Sequence, residues 1–238
     1  MRAVILAAGS SRRLQTYTKE IPKCMLIVNG KRILQHQLDC IKQNNIQDVT
    51  IVVGYLKNII IDYVKLNYSD LNVKFVENTE FLTTNTIYSL WLAKDDLLKD
   101  DIIYFNGDVV FHPDILTKLV ESRYCNCLAI SHKKCDEEEV KVIVGQDSRV
   151  AAISKKLEPK QCAGEFIGIG KFCRSGNFKF VEHLQKGIDN KLYMEYFEYA
   201  VDSMLNENPV YEIDITELPC IEIDFPEDLE AAITTMKW

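Results

Sequence analysis

The sequence predicts an α/β fold, a Rossmann-like, mostly parallel sheet with helices on both faces. Three observations predict it. The chain opens with an apolar strand, Ala3-Val4-Ile5-Leu6-Ala7-Ala8, that runs straight into Gly9-Ser10-Ser11-Arg12-Arg13-Leu14. Apolar runs then alternate with segments of helical spacing through the first half. Such alternation implies crossover units and a parallel sheet. No Ser/Gly linker, low-complexity tract or repeat interrupts the 238 residues, a length that one large α/β domain can fill.

The elements follow in order. Arg2 to Leu6 is the first strand. Ile33, Leu34, Leu38 and Ile41 recur at helical spacing, which puts them on one face. Val49 to Val53 reads as a buried strand closed by Gly54, Leu56 to Leu66 as a helix and Val73 to Val76 as a strand. Thr86 to Leu98 is a helix, Ile102 to Phe105 a strand and Pro113 to Val120 a helix. Right-handed crossovers gather the carboxyl ends of these strands on one edge.

The second half differs. Cys127 to Ser131, Val140 to Val144, Val150 to Ile153 and Phe166 to Phe172 are strand-like runs set close together. Helices are predicted at Phe178 to Leu184 and Met194 to Leu205, then a strand at Pro219 to Ile223 and a helix from Pro226, where proline suits the first helical position. One domain, 1–238, is expected, with 1–125 as the nucleotide half and 126–238 completing the sheet and walling the site.

Composition narrows the function. Hydrophobic residues make up 47% and charged residues 26%, and the net charge is −7. A general nucleic-acid binder needs a basic face, so nucleic acid is not an expected partner. No apolar run approaches a bilayer span, and Leu6-Ala7-Ala8 is a strand end rather than a cleavage site. The expectation is a cytoplasmic protein without a membrane partner, with a homodimer allowed. The eight cysteines are scattered. Cys125-x-Cys127 has the wrong spacing for a zinc knuckle, and all eight are expected as free thiols.

The chemistry begins at the end of the first strand. Ligands of open α/β sheets bind outside the carboxyl ends of the strands. Small residues there let backbone N–H groups approach a phosphate, and Arg12, Arg13 and Lys23 can neutralise a polyphosphate. There is no G-x-G-x-x-G and no G-x-x-x-x-G-K-[ST] in the run, which excludes a dinucleotide fingerprint and a P-loop. Asn106-Gly107-Asp108-Val109 follows one strand, and Ile221-Glu222-Ile223-Asp224-Phe225 ends another. Two aspartates at strand ends can share a Mg²⁺ with substrate phosphates. The alternative for Asp108 is a turn residue after Gly107, and for Asp224 an N-cap role competes closely with the metal role. No Ser-His-Asp or Cys-His set suggests itself among the four histidines.

The N-terminal run with Pro22-Lys23 resembles the L-A-A-G-x-x-x-R-(L/M)…P-K signature of the nucleotidyltransferases that make NDP-sugars and CDP-alcohols. Asn85-Thr86-Ile87-Tyr88-Ser89-Leu90 resembles the N-x-x-Y-S-L motif of the phosphocholine-type cytidylyltransferases. The resemblance implies a nucleotidyltransferase (GT-A-like) fold. It implies a Mg²⁺-dependent transfer of CMP from CTP to a phosphorylated or phosphonate small molecule, with release of pyrophosphate. It assigns Leu6, Ala7, Ala8, Gly9, Ser10, Ser11 and Arg12, with Thr84, Asn85, Thr86 and Ser89, to the nucleotide. Arg13, Lys23 and Lys156 receive catalytic roles, Lys156 being chosen over Lys155. Asp108 and Asp224 are assigned to the metal. Asp108, Glu165, Tyr193 and Glu195 are assigned to the acceptor. Lys23 is expected to be solvent-accessible without ligand. The alternatives are a sugar-1-phosphate nucleotidyltransferase using UTP, dTTP or GTP, and a non-catalytic nucleotide-binding regulator.

Overall fold

The computed structural model describes residues 1–236, except the side chains of Arg12 and Gln15. Strands are β1 (Arg2–Ala7), β2 (Ile27–Val28), β3 (Lys31–Arg32), β4 (Asp48–Val53), β5 (Asn72–Glu77), β6 (Ile102–Asn106) and β7 (Val109–Phe111). They continue as β8 (Asn126–Ser131), β9 (Lys141–Val144), β10 (Val150–Ser154), β11 (Gly164–Phe172), β12 (Tyr211–Asp214) and β13 (Cys220–Glu222). Helices are α1 (Gln15–Thr18), α2 (Ile33–Gln43), α3 (Lys57–Asn67), α4 (Thr86–Leu92), α5 (Lys94–Leu97), α6 (Pro113–Glu121), α7 (Arg174–Asp189), α8 (Glu198–Met204) and α9 (Pro226–Thr235).

Among the described residues the central sheet has nine strands, in the order β10-β9-β11-β6-β1-β4-β5, with β8 beside β11 and β12 beside β8. The strands β6, β1, β4 and β5 run parallel. The long β11 joins the two parts. It pairs antiparallel with β6 through Ile169 to Phe172, with β9 near Glu165, and with β8.

Strand β1 shows why both faces are covered. Ala3, Ile5 and Ala7 enter one buried cluster, with α2, α3 and α6 residues such as Leu38, Ile60 and Leu116. Val4, Leu6 and Ala8 enter the other, with Ile87, Phe180 and Val201 of α4, α7 and α8. Successive side chains of a strand point to opposite faces, so a strand buried on both faces reads as a continuous apolar run. No helix among the described residues is long and apolar enough to cross a membrane.

Several expectations are corrected. The predicted helix Thr86 to Leu98 breaks at Ala93 into α4 and α5. The helix predicted from Met194 starts only at Glu198. The backbone before it is tied elsewhere: Asn85 N donates to Tyr193 O (2.7 Å), and Phe197 N donates to Thr86 Oγ1 (3.0 Å). The predicted last strand, realised as β13, leaves the main sheet and pairs antiparallel with β7, Glu222 opposite Val109. Strand β12 was missed. Cys125 and Cys173 form a disulfide, with Cα atoms 5.2 Å apart, against the expectation of eight free thiols. They extend the β8–β11 ladder beyond the Asn126–Phe172 pair, so register rather than sequence spacing brings them together.

Candidate active site

The end of β1 is held close by glycines on both sides. A Cβ on Gly54 would stand 2.7 Å from Ala8 O, and one on Gly107 would stand 2.6 Å from Leu6 O. Gly107 N donates to Leu6 O (3.0 Å) and Tyr55 N to Ala8 O (3.0 Å). These contacts fix where the loop leaves the sheet. Gly9 itself has open space where a Cβ would be. Ser11 has a φ of 48°, in the left-handed region that non-glycine residues visit at a cost.

Asp108 lies in the turn between β6 and β7. Gln37 of α2 is fully buried and donates to Asn106 O and Val109 O, both 2.9 Å, so it clasps the turn from beneath. Ile223 N donates to Asp108 O (3.1 Å). With β13 paired to β7, this brings Asp224 beside Asp108. Asp224 is not the cap of α9. Asp228 takes that part, its Oδ2 accepting from Asp224 N (2.8 Å) and Phe225 N (2.7 Å). The Asp224 carboxylate is therefore left for the cleft.

Both aspartates converge on Lys23. Its Nζ is 2.7 Å from Asp108 Oδ2 and 2.7 Å from Asp224 Oδ1. The side chain is 12% exposed, so the expected solvent accessibility is corrected; the carboxylates cover the lysine. Burial opposes the Lys23 charge, but Asp108 and Asp224 outweigh it and hold its pKa well above the ordinary lysine value. Burial raises Asp224, and Lys23 reverses this, leaving the carboxyl below its usual range. Arg13 stands at the rim, its Nη1 3.3 Å from Asp224 Oδ2 and 3.4 Å from Glu138 Oε2. Arg12 cannot be placed, because its side chain lies outside the described residues.

A cleft of about 290 Å³ opens over this cluster. It is lined by Leu6, Gly9, Ser11, Arg13, Lys23, Asn85, Thr86 and Asp108, and also by Asn106, Lys155, Tyr196, Glu198, Glu222 and Asp224. Ala7 lines a small recess beside it with Lys23 and Cys24. A further recess of about 70 Å³ is bounded by Ala8, Gly9, Asn78, Thr84, Asn85 and Ser89. Asn78 Nδ2 donates to Thr84 Oγ1 and Ser89 Oγ, both 3.0 Å, so these hydroxyls are fixed in place. Ser10, half-buried, continues the loop.

Other assignments fall apart in space. Lys155 lines the main cleft, with Nζ 4.7 Å from the Tyr196 ring centroid. Lys156 is 79% exposed, pairs with Glu195 at 3.0 Å and lines an adjoining cavity of about 210 Å³ with Lys155 rather than the main cleft. Glu165 pairs with Lys133 (2.8 Å) and lines a second cavity of about 340 Å³ that meets the cleft only at Glu222 and Asp224. Tyr193 stands edge-on to Tyr88, with centroids 5.8 Å apart.

Glu198 and Glu222 also line the cleft, without a role assigned to them from the sequence. A signal for Glu222 existed: Ile221-Glu222-Ile223-Asp224 alternates, and residues two apart on a strand share a face. Burial, followed by repulsion from Asp108 and Asp224, pushes the Glu222 carboxyl well up. Burial pushes Glu198 up to about 7. Among the described residues, no three His, Cys, Asp or Glu side chains are grouped to hold a metal ion.

Residues 3–168 match the MobA-like NTP transferase domain. CTP:phosphoglutamine cytidylyltransferase of Campylobacter jejuni is 30% identical, over 98% of this chain and 99% of that protein. CMP-5'-(3-aminopropyl)phosphonate synthase of Streptomyces rubellomurinus is 28% identical, over 98% of this chain and 38% of that longer protein. The solved CTP:phosphocholine cytidylyltransferase of Streptococcus pneumoniae superposes with a TM-score of 0.83 at 25% identity, covering 99% of each chain.

Proposed function

We propose, from the premise that this chain belongs to the MobA-like NTP transferase family, that it transfers CMP from CTP to a phosphorylated or phosphonate small molecule and releases pyrophosphate. The observation that carries the reading is the convergence of Lys23, Asp108 and Asp224 beside the loop that leaves β1. The relatives named CTP:phosphoglutamine and CTP:phosphocholine cytidylyltransferase support CTP as donor.

The acceptor's phosphoryl oxygen is already an anion and needs no activating base. It bonds to the α-phosphorus of CTP as the bond to the β-phosphate oxygen breaks, and the electron pair leaves with pyrophosphate. Catalysis then consists of in-line positioning and charge neutralisation. Arg13 and Lys23 face the phosphates, and Lys155 faces the acceptor. The recess at Ala8, Asn78 and Ser89 is small and suits a pyrimidine better than a purine. Residues 1–125 supply the nucleotide side and 126–238 the acceptor wall, in an enzyme working in the cytoplasm, where CTP is made.

The residues fit Mg²⁺. Asp108 Oδ2 and Asp224 Oδ1 already converge on one cation, the Lys23 ammonium, and Asp108 Oδ1 is buried without a hydrogen-bond partner among the described residues. Asp108 and Asp224 would hold the ion, in keeping with its habit of taking one or two carboxylates plus substrate phosphates. Bound there, it supplies charge neutralisation on the phosphates.

Pyrophosphate release from CTP, UTP, dTTP, GTP and ATP, each with a panel of phosphate esters, phosphonates and sugar 1-phosphates, tests the reading. CTP should lead. Equal turnover with GTP or ATP, or turnover confined to sugar 1-phosphates, would sink it.

A further inference from the structure

We propose that the Cys125–Cys173 disulfide is an exchangeable bond, a site that small thiols and their disulfides open, cap and reclose, rather than a permanent staple. It does not depend on the transfer reaction. Cys125, just before β8, is exposed, and Cys173, between β11 and α7, is half-buried. An entering thiolate therefore reaches the Cys125 sulfur first, and access is one of the factors that set the rate of exchange. The two residues stay opposite each other without the bond, because Cys173 N donates to Cys125 O (3.0 Å). The adjoining ladder holds as well. Asn126 pairs with Phe172, and Asn126 Nδ2 donates to Asn208 Oδ1 (2.8 Å) and Pro209 O (3.0 Å). Opening leaves two thiols side by side, ready to close again.

The surroundings favour Cys173 as the leaving sulfur. It is the N-cap of the 16-residue α7, and a helix N-terminus favours a thiolate over a thiol. Asp101 Oδ1 takes the Arg174 N–H (2.8 Å), so the hydrogen bond to sulfur comes from Ser175. Its Oγ lies 3.2 Å from Cys173 Sγ and 3.7 Å from Cys125 Sγ. A disulfide sulfur carries no hydrogen, so the hydroxyl donates, and it stabilises the charge that develops on the departing sulfur. The step balances. A thiolate RS⁻ bonds to Cys125 Sγ, the Cys125–Cys173 bond breaks, and its electron pair leaves on Cys173 as thiolate. A second RS⁻ attacks the mixed disulfide, releases RSSR and frees the Cys125 thiolate. Run backwards, RSSR oxidises the two thiols and recloses the bond.

The other six cysteines do not compete. Cys24, Cys40 and Cys127 are buried. Burial pushes the Cys24 and Cys40 thiols up to about 12 and raises Cys127 too. Burial also raises Cys135, Cys162 and Cys220, which are only partly exposed. The thiolate is the form that reacts, so exchange is confined to the bonded pair. That pair lies at the far end of the sheet from the cleft. Phe172 is level with Ile102, and Ile102 with Arg2 at the start of β1, whereas the cleft opens where β1 ends. The redox state therefore acts on the stability of the chain rather than on the groups in the cleft.

The test follows the intact chain in glutathione buffers by mass spectrometry. After oxidised glutathione, alkylation of the unfolded chain should modify the six unbonded cysteines only. After reduced glutathione it should modify all eight. Cys173→Ser has no second sulfur to expel glutathione and should hold the adduct on Cys125. The closed form should melt about 5 °C or more above the opened one. Ser175→Ala should slow opening by reduced glutathione several-fold. Eight alkylated cysteines after oxidised glutathione would mean that the bond does not form. Six after reduced glutathione, with opening only in denaturant, would make it a permanent staple. Adducts spread over the other cysteines would remove the selectivity. Each of these overturns the proposal and leaves the cytidylyltransferase reading untouched. An unchanged opening rate in Ser175→Ala overturns the choice of Cys173 as the leaving sulfur. The alkylation count on the unmodified chain decides the matter even where a variant does not fold.

Discussion

Lys23 holds two carboxylates apart and together at once. Removing one partner of a buried ion pair leaves charge uncompensated, at a cost of about 3–5 kcal/mol. Lys23→Ala should therefore destabilise the fold as well as lower turnover by about two orders of magnitude or more. Asp108 and Asp224 would face each other without their shared ammonium. Mg²⁺ should then raise the melting temperature of Lys23→Ala by more than that of the unmodified chain. An equal Mg²⁺ response in both would show that the aspartates do not share a cation site. Glu198 gives the opposite sign. Its carboxyl sits near 4.5 unfolded and near 7 folded, through burial. Below pH 4.5 both states are protonated and the group costs nothing. As pH rises from 4.5 to 7 the unfolded chain releases the proton while the folded chain keeps it, so stability falls. Above pH 7 the whole cost, about 3 kcal/mol, is present. Glu198→Gln should accordingly gain stability relative to the unmodified chain between pH 4 and pH 8, measured by urea unfolding. A gain that does not change with pH would mean that the carboxyl is not held protonated. Asp224 was legible from its motif at this scale. The burial of Glu198 was not, because a glutamate on a short aromatic helix looks like any solvated one until the fold is known.

Element boundaries follow from what the backbone bonds to, and sequence periodicity shows only part of that. The strands of the parallel core were legible because both of their faces are buried, so apolar runs mark them directly. Strand β12, Tyr-Glu-Ile-Asp, carries two acids and offered no such run. The segment before α8 has helical spacing, yet its N–H and C=O groups go to α4 and the residue before it. The turn that carries Asp108 is set from below by α2, which no motif announces. Gln37 donates both amide hydrogens to carbonyls on either side of Gly107-Asp108. Gln37→Leu keeps the apolar bulk and removes both bonds, leaving two carbonyls unpaired. The expected outcome is a several-fold rise in the Mg²⁺ concentration for half-maximal rate, beyond any loss of stability. An unchanged Mg²⁺ requirement would reduce Gln37 to a packing residue.

Over the whole molecule, the site belongs to neither half. Lys23 and Asp108 come from the first, and Asp224, Lys155 and Glu198 from the second. That the strands of the first half run parallel was readable, because β-α alternation implies crossovers; their order was not. The joining of the halves was not, because it depends on pairings between distant segments: β6 with β11, and β7 with β13. Those pairings make a prediction about independence. Cut after residue 125, the first half would present β6 as an edge strand with Ile102, Ile103, Tyr104 and Phe105 all buried in the intact chain. It would also lose Phe166, Phe172 and Phe197, which pack around Tyr104. A long apolar edge with unpaired N–H and C=O groups is a template for aggregation. The fragment 1–125 should therefore aggregate or lack a cooperative unfolding transition, while the intact chain unfolds in one step by near-ultraviolet and far-ultraviolet circular dichroism alike. A soluble fragment with a sharp transition of its own would mean that the nucleotide half is a separate folding unit, with the acceptor wall added to it.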